Sequence, residues 1–321
     1  MTLKSLSLFI LSLILIDFSM PDKFKVQYYY YFDNMPKNER PKGLKVWYKD
    51  MTNKDLDLKN VNTFNEKIQW TKIYNIDSYK TRLSDKYVSK LIVSKKIGSK
   101  YVIPTIGVWE KFDFIKFETL PNRFVLKCNH GNNLISVVLN KDILDLNSEK
   151  TKFDNWMLTN QAFVNGLELQ FRKSRRKIFA ETFIPEIHNL DKEFRVFCFD
   201  GIVHYIQVFL IGEKSVFYDK NWNKQNFNCC TRNINQYPDV KRPEKLEELI
   251  TISEKLSKGI SFVQIVYYIL GNEQIIFKEF NFTPQSGIMN WSSESANLHM
   301  GSLLTLKVDR NLDSTQDIKD L

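Results

Sequence analysis

The stretch Arg123-Phe-Val-Leu-Lys-Cys-Asn-His-Gly-Asn-Asn133 is an apolar run that carries one lysine and then becomes a short polar loop. An extended strand here places Val125 and Lys127 on one face and directs the ammonium into mostly apolar surroundings, where a charge needs an anion. The loop from Asn129 to Asn133 offers backbone N–H groups beside a flexible glycine, which suits a phosphate chain. A lysine that ends an edge strand is often only solvated, so this stretch alone leaves both interpretations open.

The composition indicates a folded, globular chain. Its 321 residues are 43% hydrophobic and 14% aromatic, which excludes disorder as the dominant state. The net charge of +9 does not indicate nucleic acid, because the basic residues are scattered and no nucleic-acid-reading motif accompanies them. Nucleotides, uronic-acid polymers or an anionic membrane surface fit the charge equally well. The four cysteines lack metal-binding spacing, and adjacent Cys229 and Cys230 cannot readily bridge, so a reduced, cytoplasmic protein is expected.

The segment from Leu3 to Ile16 is almost wholly apolar, but it is shorter than the roughly 20 residues that cross a bilayer. Lys4 supplies the charged start of a signal peptide, although no small-residue cleavage site precedes Met20. We expect residues 3–16 to contact the inner face of the membrane peripherally, with a helix packed on the protein as the open alternative.

Helix signals are clear in the N-terminal part. Thr63 and Glu66 form a capping box at the start of a helix that is predicted to reach Tyr74. Ser84 is predicted to cap the next helix, which ends at Gly98.

The rest of the chain predicts a mixed α+β fold. Predicted strands lie at residues 101–109, 123–128, 134–139, 177–184, 193–200, 203–211, 262–270 and 274–282. In the fifth of these, alternation places Glu193 and Arg195 on one face. Residues 155–177 have a helical pattern that closes with the basic run 172–177, interpreted either as a solvated helix face or as a contact to an acidic substrate.

The last predicted strand carries an acid and an amide. Alternation puts Phe277, Glu279 and Asn281 on one face, and Lys278 and Phe280 on the other. A buried acid and amide are costly unless they are paired or bound to a cation. Oxygen ligands at this spacing suit Mg²⁺ carrying nucleotide phosphates, and a basic side chain from a neighbouring strand is the alternative partner.

Taken in order, several separate motifs resemble the ATP-grasp superfamily. They are Asp85-Lys86 opening a helix, Lys127 before a polar loop, Glu181-Thr-Phe-Ile184 at a strand end and Glu279-x-Asn281 near the C-terminus. Four segments resemble more narrowly the TupA-like branch, which is associated with teichuronopeptide and other bacterial surface-polysaccharide biosynthesis. These are Thr63-Phe-Asn-Glu-Lys-Ile-Gln-Trp70, Phe124-Val-Leu-Lys-Cys-Asn-His-Gly131, Phe217-Tyr-Asp-Lys-Asn-Trp222 and Phe282-Thr-Pro-Gln-Ser-Gly287.

The resemblance implies an α+β ATP-grasp fold, in which two α+β subdomains clasp a nucleotide and a mainly helical extension precedes them. The expected division is an apolar segment at 1–20, the extension at 21–83, the first subdomain at 84–180, and the second, with the metal site, at 181–321. The implied cofactors are ATP and Mg²⁺. The implied reaction phosphorylates a carboxylate to an acyl phosphate, which an amine then captures.

Roles for individual residues follow from the same resemblance. The residues implied to bind ATP are Lys86, Lys127, Asn129, His130, Gly131, Glu181, Thr182, Phe183, Ile184 and Glu186. Among them, the two lysines would neutralise the triphosphate, the backbone from Glu181 to Ile184 would bind the adenine edge, and Glu186 would reach the ribose. Phe183 or Ile184 would pack on the adenine ring. Arg195 and Lys127 would be catalytic, and Arg195 would steady the acyl phosphate. Glu279 and Asn281 would hold Mg²⁺.

The chain departs from the family pattern at the metal site. Where the family has an Arg-Val-Asp run whose acid is a second metal ligand, this chain has Gln264-Ile265-Val266. A valine cannot bind magnesium. Lys278 also replaces the family's glycine before the metal-binding Glu279. The metal site is therefore expected either to use one further, unidentified acid or to be weakened.

The expected function is an ATP-dependent carboxylate–amine ligase that forms an amide between an amino acid and a uronic acid, or similar, on a bacterial surface polysaccharide or its precursor. The alternatives are a sugar kinase or transferase of polysaccharide biosynthesis and a degenerate, non-catalytic ATP-grasp protein. The expected partners are an acidic sugar or glycan acceptor and an amino acid, with no nucleic acid. The expected location is the cytoplasm, at the inner face of the membrane.

Overall fold

The computed structural model describes residues 22–210, 214–229, 239–271 and 273–307. The apolar segment predicted to contact the membrane, residues 3–16, lies outside these ranges. Within them, no helix combines the length and the apolar character that a membrane crossing needs.

The N-terminal part is helical, as predicted. Its helices are α1 (Asp22–Asp33), α2 (Arg40–Thr52), α3 (Phe64–Tyr74), α4 (Ser78–Ser84) and α5 (Lys86–Ile97). The predicted capping box at the start of α3 is confirmed, because the Thr63 hydroxyl accepts from the Glu66 N–H and the Glu66 carboxylate accepts from the Thr63 N–H. These two backbone N–H groups at the helix start are thereby hydrogen-bonded.

The cap of α5 differs from the prediction by one residue. Ser84 is the last residue of α4, and Asp85 caps α5 by accepting from the N–H groups of Tyr87 and Val88, each at 2.9 Å. The Asp85 backbone is extended, as a cap requires, and its carboxylate satisfies two donors at once. Gly98 ends the helix with φ 112, as predicted.

The first sheet contains β1 (Thr105–Trp109), β2 (Phe124–Cys128), β3 (Ile135–Val138) and β4 (Ile178–Thr182), in the order β1-β4-β2-β3. All neighbouring strands are antiparallel. One face packs into a core that includes Phe124, Leu126 and Phe153, the last from α6 (Leu146–Leu158). The predicted subdomain boundary between residues 180 and 181 falls inside β4.

The second sheet contains β5 (Lys192–Phe199), β6 (Ile202–Leu210), β7 (Lys214–Asp219), β8 (Phe262–Ile269) and β9 (Ile275–Asn281), in the order β7-β6-β5-β8-β9. One face packs against α5 and α8 (Leu246–Ser257) in the largest core, where alternate residues of β5 and β8 meet the two helices. The remaining described helices are α7 (Pro185–His188) and α9 (Glu294–Leu303). The two sheets and their helices confirm the predicted α+β class.

The predicted helix at 155–177 is wrong. The helix there, α6, ends at Leu158, and two short 3₁₀ turns follow it at Gln161–Phe163 and Leu169–Phe171. Gly166 and Leu167 have positive φ values of 71 and 63, which no right-handed helix can contain. The basic run 172–177 is consequently not a helix face. Its exposed Arg175 pairs with Glu110.

Candidate active site

Glu181 on β4 is the centre of a buried ion-pair cluster. Its carboxylate pairs with Lys90 of α5, and its second oxygen lies 2.5 Å from the Lys127 ammonium on β2. Burial alone would raise the pKa of Glu181, but the two ammonium groups hold it below its usual range. The anion that Lys127 needs is therefore supplied within the protein by Glu181.

The loop after Lys127 packs mostly inward. The Asn129 amide donates to Asp85 (2.5 Å) and to the Arg175 carbonyl (2.9 Å), and its side-chain oxygen accepts from the Lys177 N–H (2.7 Å). The Asn129 carbonyl accepts the N–H of Lys86 at 2.9 Å. In this arrangement Asn129 fixes the start of α5, and with it Lys86, and its side chain is fully used within the protein. Its predicted role as a direct ATP contact stays a prediction.

His130 and Gly131 are buried as well. The His130 Nε2 lies 3.1 Å from the Trp156 carbonyl, and burial lowers the pKa of this histidine to about 4, so it is neutral at pH 7. A Cβ on Gly131 would lie 2.5 Å from the Gln161 side chain, so close packing explains this glycine. The accessible part of the loop is its tip, at Asn132 and Asn133.

A second group of ion pairs lies on the second sheet. The Glu193 carboxylate is 2.5 Å from the Lys278 ammonium and 3.2 Å from the Arg195 guanidinium. Glu193 and Arg195 thus share a face of β5, as predicted. The Arg195 guanidinium also lies over the Phe209 ring, 3.8 Å from its centroid, which holds it in one orientation.

Lys86, at the first position of α5, connects this helix to β9. Its ammonium lies 3.1 Å from the Glu279 carboxylate. Burial alone would raise the pKa of Glu279, but Lys86, Lys278 and Arg195 lower it to about 2. Since Lys90 on the same helix pairs with Glu181, α5 links the charged groups of the two sheets.

We call these eight side chains the charged cluster: Lys86, Lys90, Lys127, Glu181, Glu193, Arg195, Lys278 and Glu279. Its five cationic and three anionic groups leave two positive charges in excess. An excess of cations on half-buried side chains favours a polyanionic ligand.

A bulge changes the predicted faces of β9. Val266 pairs with Glu279 and Tyr267 with Phe277, so Lys278 is an additional residue on this strand. Phe277 consequently lies in the same core as Phe280, and not with Glu279 as simple alternation predicted. The bulge also explains how consecutive Lys278 and Glu279 both reach the charged cluster.

The described residues do not form a preformed Mg²⁺ site. Nowhere in the described ranges do three or more His, Cys, Asp or Glu side chains lie together in a way that could hold a metal ion. Val266, which lies in register between Arg195 and Glu279, leaves an apolar position next to that carboxylate. The Asn281 oxygen already accepts from the Thr283 N–H at 3.0 Å, and its amide donates to Gln264. Glu279 and Asn281 therefore fit a Mg²⁺ carried in on phosphates, which needs only one or two protein carboxylates, rather than a preformed metal site.

The predicted adenine-binding segment follows directly from β4. Phe183 stacks on His188 at 4.6 Å between ring centroids, with the Arg123 guanidinium 5.3 Å from its ring centre. Ile184 packs in a small apolar cluster with Ile103, Leu270 and Ile276. Thr182 and Glu186 are exposed. Of the two predicted ring-packing residues, Phe183 thus contacts an imidazole and a guanidinium, and Ile184 packs partly buried against an apolar cluster.

Sequence reasoning missed several residues of this region. Lys90 was not predicted, although its spacing of four from Lys86 places both on one face of α5. Ile135 and Val137, 42% and 40% exposed, lie opposite Lys127 and Val125 in the β2–β3 register and so share their face. These two exposed apolar side chains beside the ammonium are suited to contact a base or a ribose.

Comparison with known proteins places this geometry in context. The model of the family described as TupA-like ATPgrasp matches residues 66–305. No curated protein matches the chain.

Among solved structures, the chain is similar to an L-amino acid ligase from Bacillus licheniformis, with 15% identity, 78% of this chain and 57% of that chain covered, and a TM-score of 0.44. A D-alanine–D-alanine ligase from Bacillus anthracis has 16% identity, with 70% and 65% of the two chains covered and a TM-score of 0.40. An ADP complex of N5-carboxyaminoimidazole synthetase from Staphylococcus aureus has 15% identity, 70% and 53% coverage, and a TM-score of 0.39. The chain thus spans between half and two thirds of the length of these proteins.

Proposed function

Because the chain belongs to the TupA-like ATP-grasp family, we propose that it is an ATP-dependent ligase that joins a carboxylate to an amine. We infer that the carboxylate belongs to a uronic acid or similar acidic sugar on a bacterial surface polysaccharide or its precursor, and that the amine belongs to an amino acid. The observation that carries the proposal is the charged cluster, whose excess cations come from both sheets and from α5. The net charge of +9 favours an acidic acceptor in the same way.

In this reaction a carboxylate oxygen attacks the γ-phosphorus of ATP, and ADP leaves. Lys127 and Lys86 would bind the phosphate oxygens, each giving up part of its contact with Glu181 or Glu279. Glu279 is the residue that would hold Mg²⁺, which when bound offsets the negative charge of the phosphates.

The amine nitrogen then attacks the acyl carbon, and phosphate leaves as the nitrogen loses a proton. Arg195, held by Glu193 and Phe209, would hydrogen-bond the oxygens of the acyl phosphate. A guanidinium fixed in this way stabilises developing negative charge without a reorganisation cost.

The test uses purified full-length protein with Mg-ATP, a mixture of amino acids and a panel of uronic-acid acceptors. Release of ADP is followed together with mass spectrometry of the acceptor. We expect ADP and an amide product that depend on both substrates. Lys127→Ala should lower the rate at least about a hundredfold, since it removes a contact to the transferred phosphoryl group. Lys150→Ala, an exposed lysine paired with Asp113 and Asp154, is the matched control and should leave the rate unchanged.

A wild-type rate of ADP release no higher than that of Lys127→Ala would contradict the proposal. A phosphorylated sugar in place of an amide would move the assignment to a kinase.

A second candidate function is a non-catalytic nucleotide-binding protein. The observation that favours it is Val266, which places an apolar side chain and no carboxylate at the strand position paired with Glu279. ATP binding without ADP formation on any acceptor would support this candidate, and ATP turnover that disappears in Glu279→Ala would exclude it.

We further propose that residues 3–16 contact the inner face of the membrane from the cytoplasmic side. Deletion of residues 1–20 should release the protein from the membrane fraction and leave ATP turnover intact. Unchanged fractionation of the deletion variant would contradict this location.

A further inference from the structure

The chain leaves β9 through a strained left-handed turn. Gln285, Ser286 and Gly287 have φ values of 46, 53 and 72. Left-handed backbone is uncommon outside glycine, and such strain persists only where the surroundings hold it. The turn begins two residues after Asn281, so it borders the strand that carries Glu279.

Side chains of α3 hold the carbonyl groups of this turn. The completely buried Lys72 donates to the Ser286 carbonyl at 2.6 Å. Gln69, one turn earlier on the same helix face, donates to the carbonyls of Ser286 (3.0 Å) and Gly287 (2.8 Å). The Lys72 ammonium also lies 4.5 Å from the centre of the Trp47 ring.

A buried carboxylate holds the start of the turn. Glu168, 2% exposed, accepts from the Thr283 hydroxyl, to which Gln170 donates at 2.9 Å. The Thr283 N–H in turn donates to the Asn281 side-chain oxygen at 3.0 Å. The orientation of Asn281 thus depends on Thr283, which Glu168 holds.

Two buried charges of this kind are costly, and apolar residues of similar volume often stabilise a core equally well. The geometry that the charges impose is then the better explanation for their presence. We propose that Lys72 and Glu168 are a positioning pair that sets the turn from Thr283 to Gly287, and through Thr283 the Asn281 side chain beside Glu279. This role rests on the proposed ligase function, and neither residue touches the reacting groups.

The charge of Lys72 depends on pH. Burial lowers the pKa of Lys72 to about 7, although the Glu168 carboxylate opposes this shift, and burial raises the pKa of Glu168. Lys80 of α4 lines a small cavity together with Lys72 and Thr283 and is a further lysine beside this pair. As the pH rises through neutrality, Lys72 loses its proton and the turn loses its charged donor.

The experiment compares Lys72→Met with Lys67→Met. Lys67 lies on the same helix and also donates to backbone carbonyls, but to those of Gly301 and Leu304. Amide hydrogen exchange of residues 282–290, the affinity for ATP and the rate of ADP formation are measured for both variants.

Lys72→Met should speed exchange in residues 282–290 about tenfold or more, lower kcat at least about tenfold and leave the ATP affinity within about threefold. Lys67→Met should leave the exchange of this segment and kcat as in the wild type. The kcat of the wild type should fall as the pH rises above 7, and this fall should be absent in Lys72→Met. Thr283→Val, which removes the hydroxyl between Glu168 and the turn, should reproduce the faster exchange if Lys72→Met does not fold.

The positioning pair would be overturned if amide exchange of residues 282–290 were as slow in Lys72→Met and in Thr283→Val as in the wild type. Equal losses of kcat in Lys72→Met and Lys67→Met would also overturn it. A wild-type protein without turnover would contradict the ligase function instead, because the exchange measurement needs no activity.

Discussion

Glu181→Gln should destabilise the protein by about 3–5 kcal/mol, the range for removing one partner of a buried ion pair. The Glu181 side chain is 5% exposed, and its partners Lys90 and Lys127 are 7% and 21% exposed. Glutamine keeps the volume but leaves the Lys90 ammonium buried without a counter-ion. Because Lys127 is partly solvated, we expect a loss of about 3 kcal/mol, near the lower end.

Urea unfolding followed by circular dichroism measures this free energy. The control is Glu110→Gln, which removes a carboxylate paired with Arg175 where the side chains are 55% and 77% exposed. Exposed pairs contribute about 0–1 kcal/mol. ATP should stabilise Glu181→Gln more than the wild type, since phosphate would replace the missing anion beside Lys127.

A loss below about 1 kcal/mol in Glu181→Gln, equal to that of the control, would refute the reasoning, because it would mean that Lys90 is not held as a buried charge. Destabilisation that ATP does not reduce would refute the placement of the phosphates beside Lys127.

Three further outcomes are expected. Val266→Asp should add a carboxylate beside Glu279 and raise the Mn²⁺ affinity without nucleotide at least about tenfold in calorimetric titration; unchanged affinity would show that the position is not part of a metal site. Gly301→Ala should cost about 1–3 kcal/mol in thermal unfolding, because a Cβ would lie 2.2 Å from the Asn62 carbonyl. The pKa of Glu279 is lowered to about 2 from 4.5, so its contribution to stability is complete above pH 4.5 and is lost as the pH falls towards 2. The stability difference between pH 5 and pH 3 should therefore shrink in Lys86→Met, and an unchanged difference would contradict this pair.

The parts of the fold that local chemistry determines could be predicted from sequence. The capping box of Thr63 and Glu66 satisfies helix donors with nearby side chains, and it marked the start of α3 correctly. The prediction of a helix at 155–177 was wrong because a distant contact, and not local chemistry, determines the backbone there. A Cβ on Gly166 would lie 2.5 Å from the Trp47 indole, so the left-handed backbone there depends on a distant contact that hydrophobic periodicity does not show.

The candidate site was predicted mainly through family motifs and less through spacing. Lys86, Lys127, Arg195 and Glu279, to which the resemblance assigned ATP-binding, catalytic or metal-binding roles, all lie in the charged cluster, and those roles stay predictions. Lys278 could not be placed there by strand alternation, because the bulge opposite Val266 and Tyr267 shifts it. Pairing between distant strands determines a bulge, and no property of β9 alone indicates it.

The hydrogen-bond partners of a polar side chain also could not be predicted from the sequence. Asn129 was expected to meet the nucleotide, and the structure adds that its side chain hydrogen-bonds Asp85, Arg175 and Lys177. An amide in a polar loop can bind a ligand or the protein equally well, and only the positions of its neighbours decide between these partners.

Transfer of carboxylate oxygen tests the proposed ligase chemistry most directly. Uronic acid labelled with ¹⁸O in its carboxylate is incubated with the protein, an amino acid mixture and Mg-ATP, and the released phosphate is analysed by mass spectrometry. If the carboxylate attacks the γ-phosphorus, each phosphate released by the wild type carries one ¹⁸O atom, and Lys127→Ala releases almost none. Unlabelled phosphate from the wild type, or label that stays in a phosphorylated sugar, would contradict carboxylate activation by this protein.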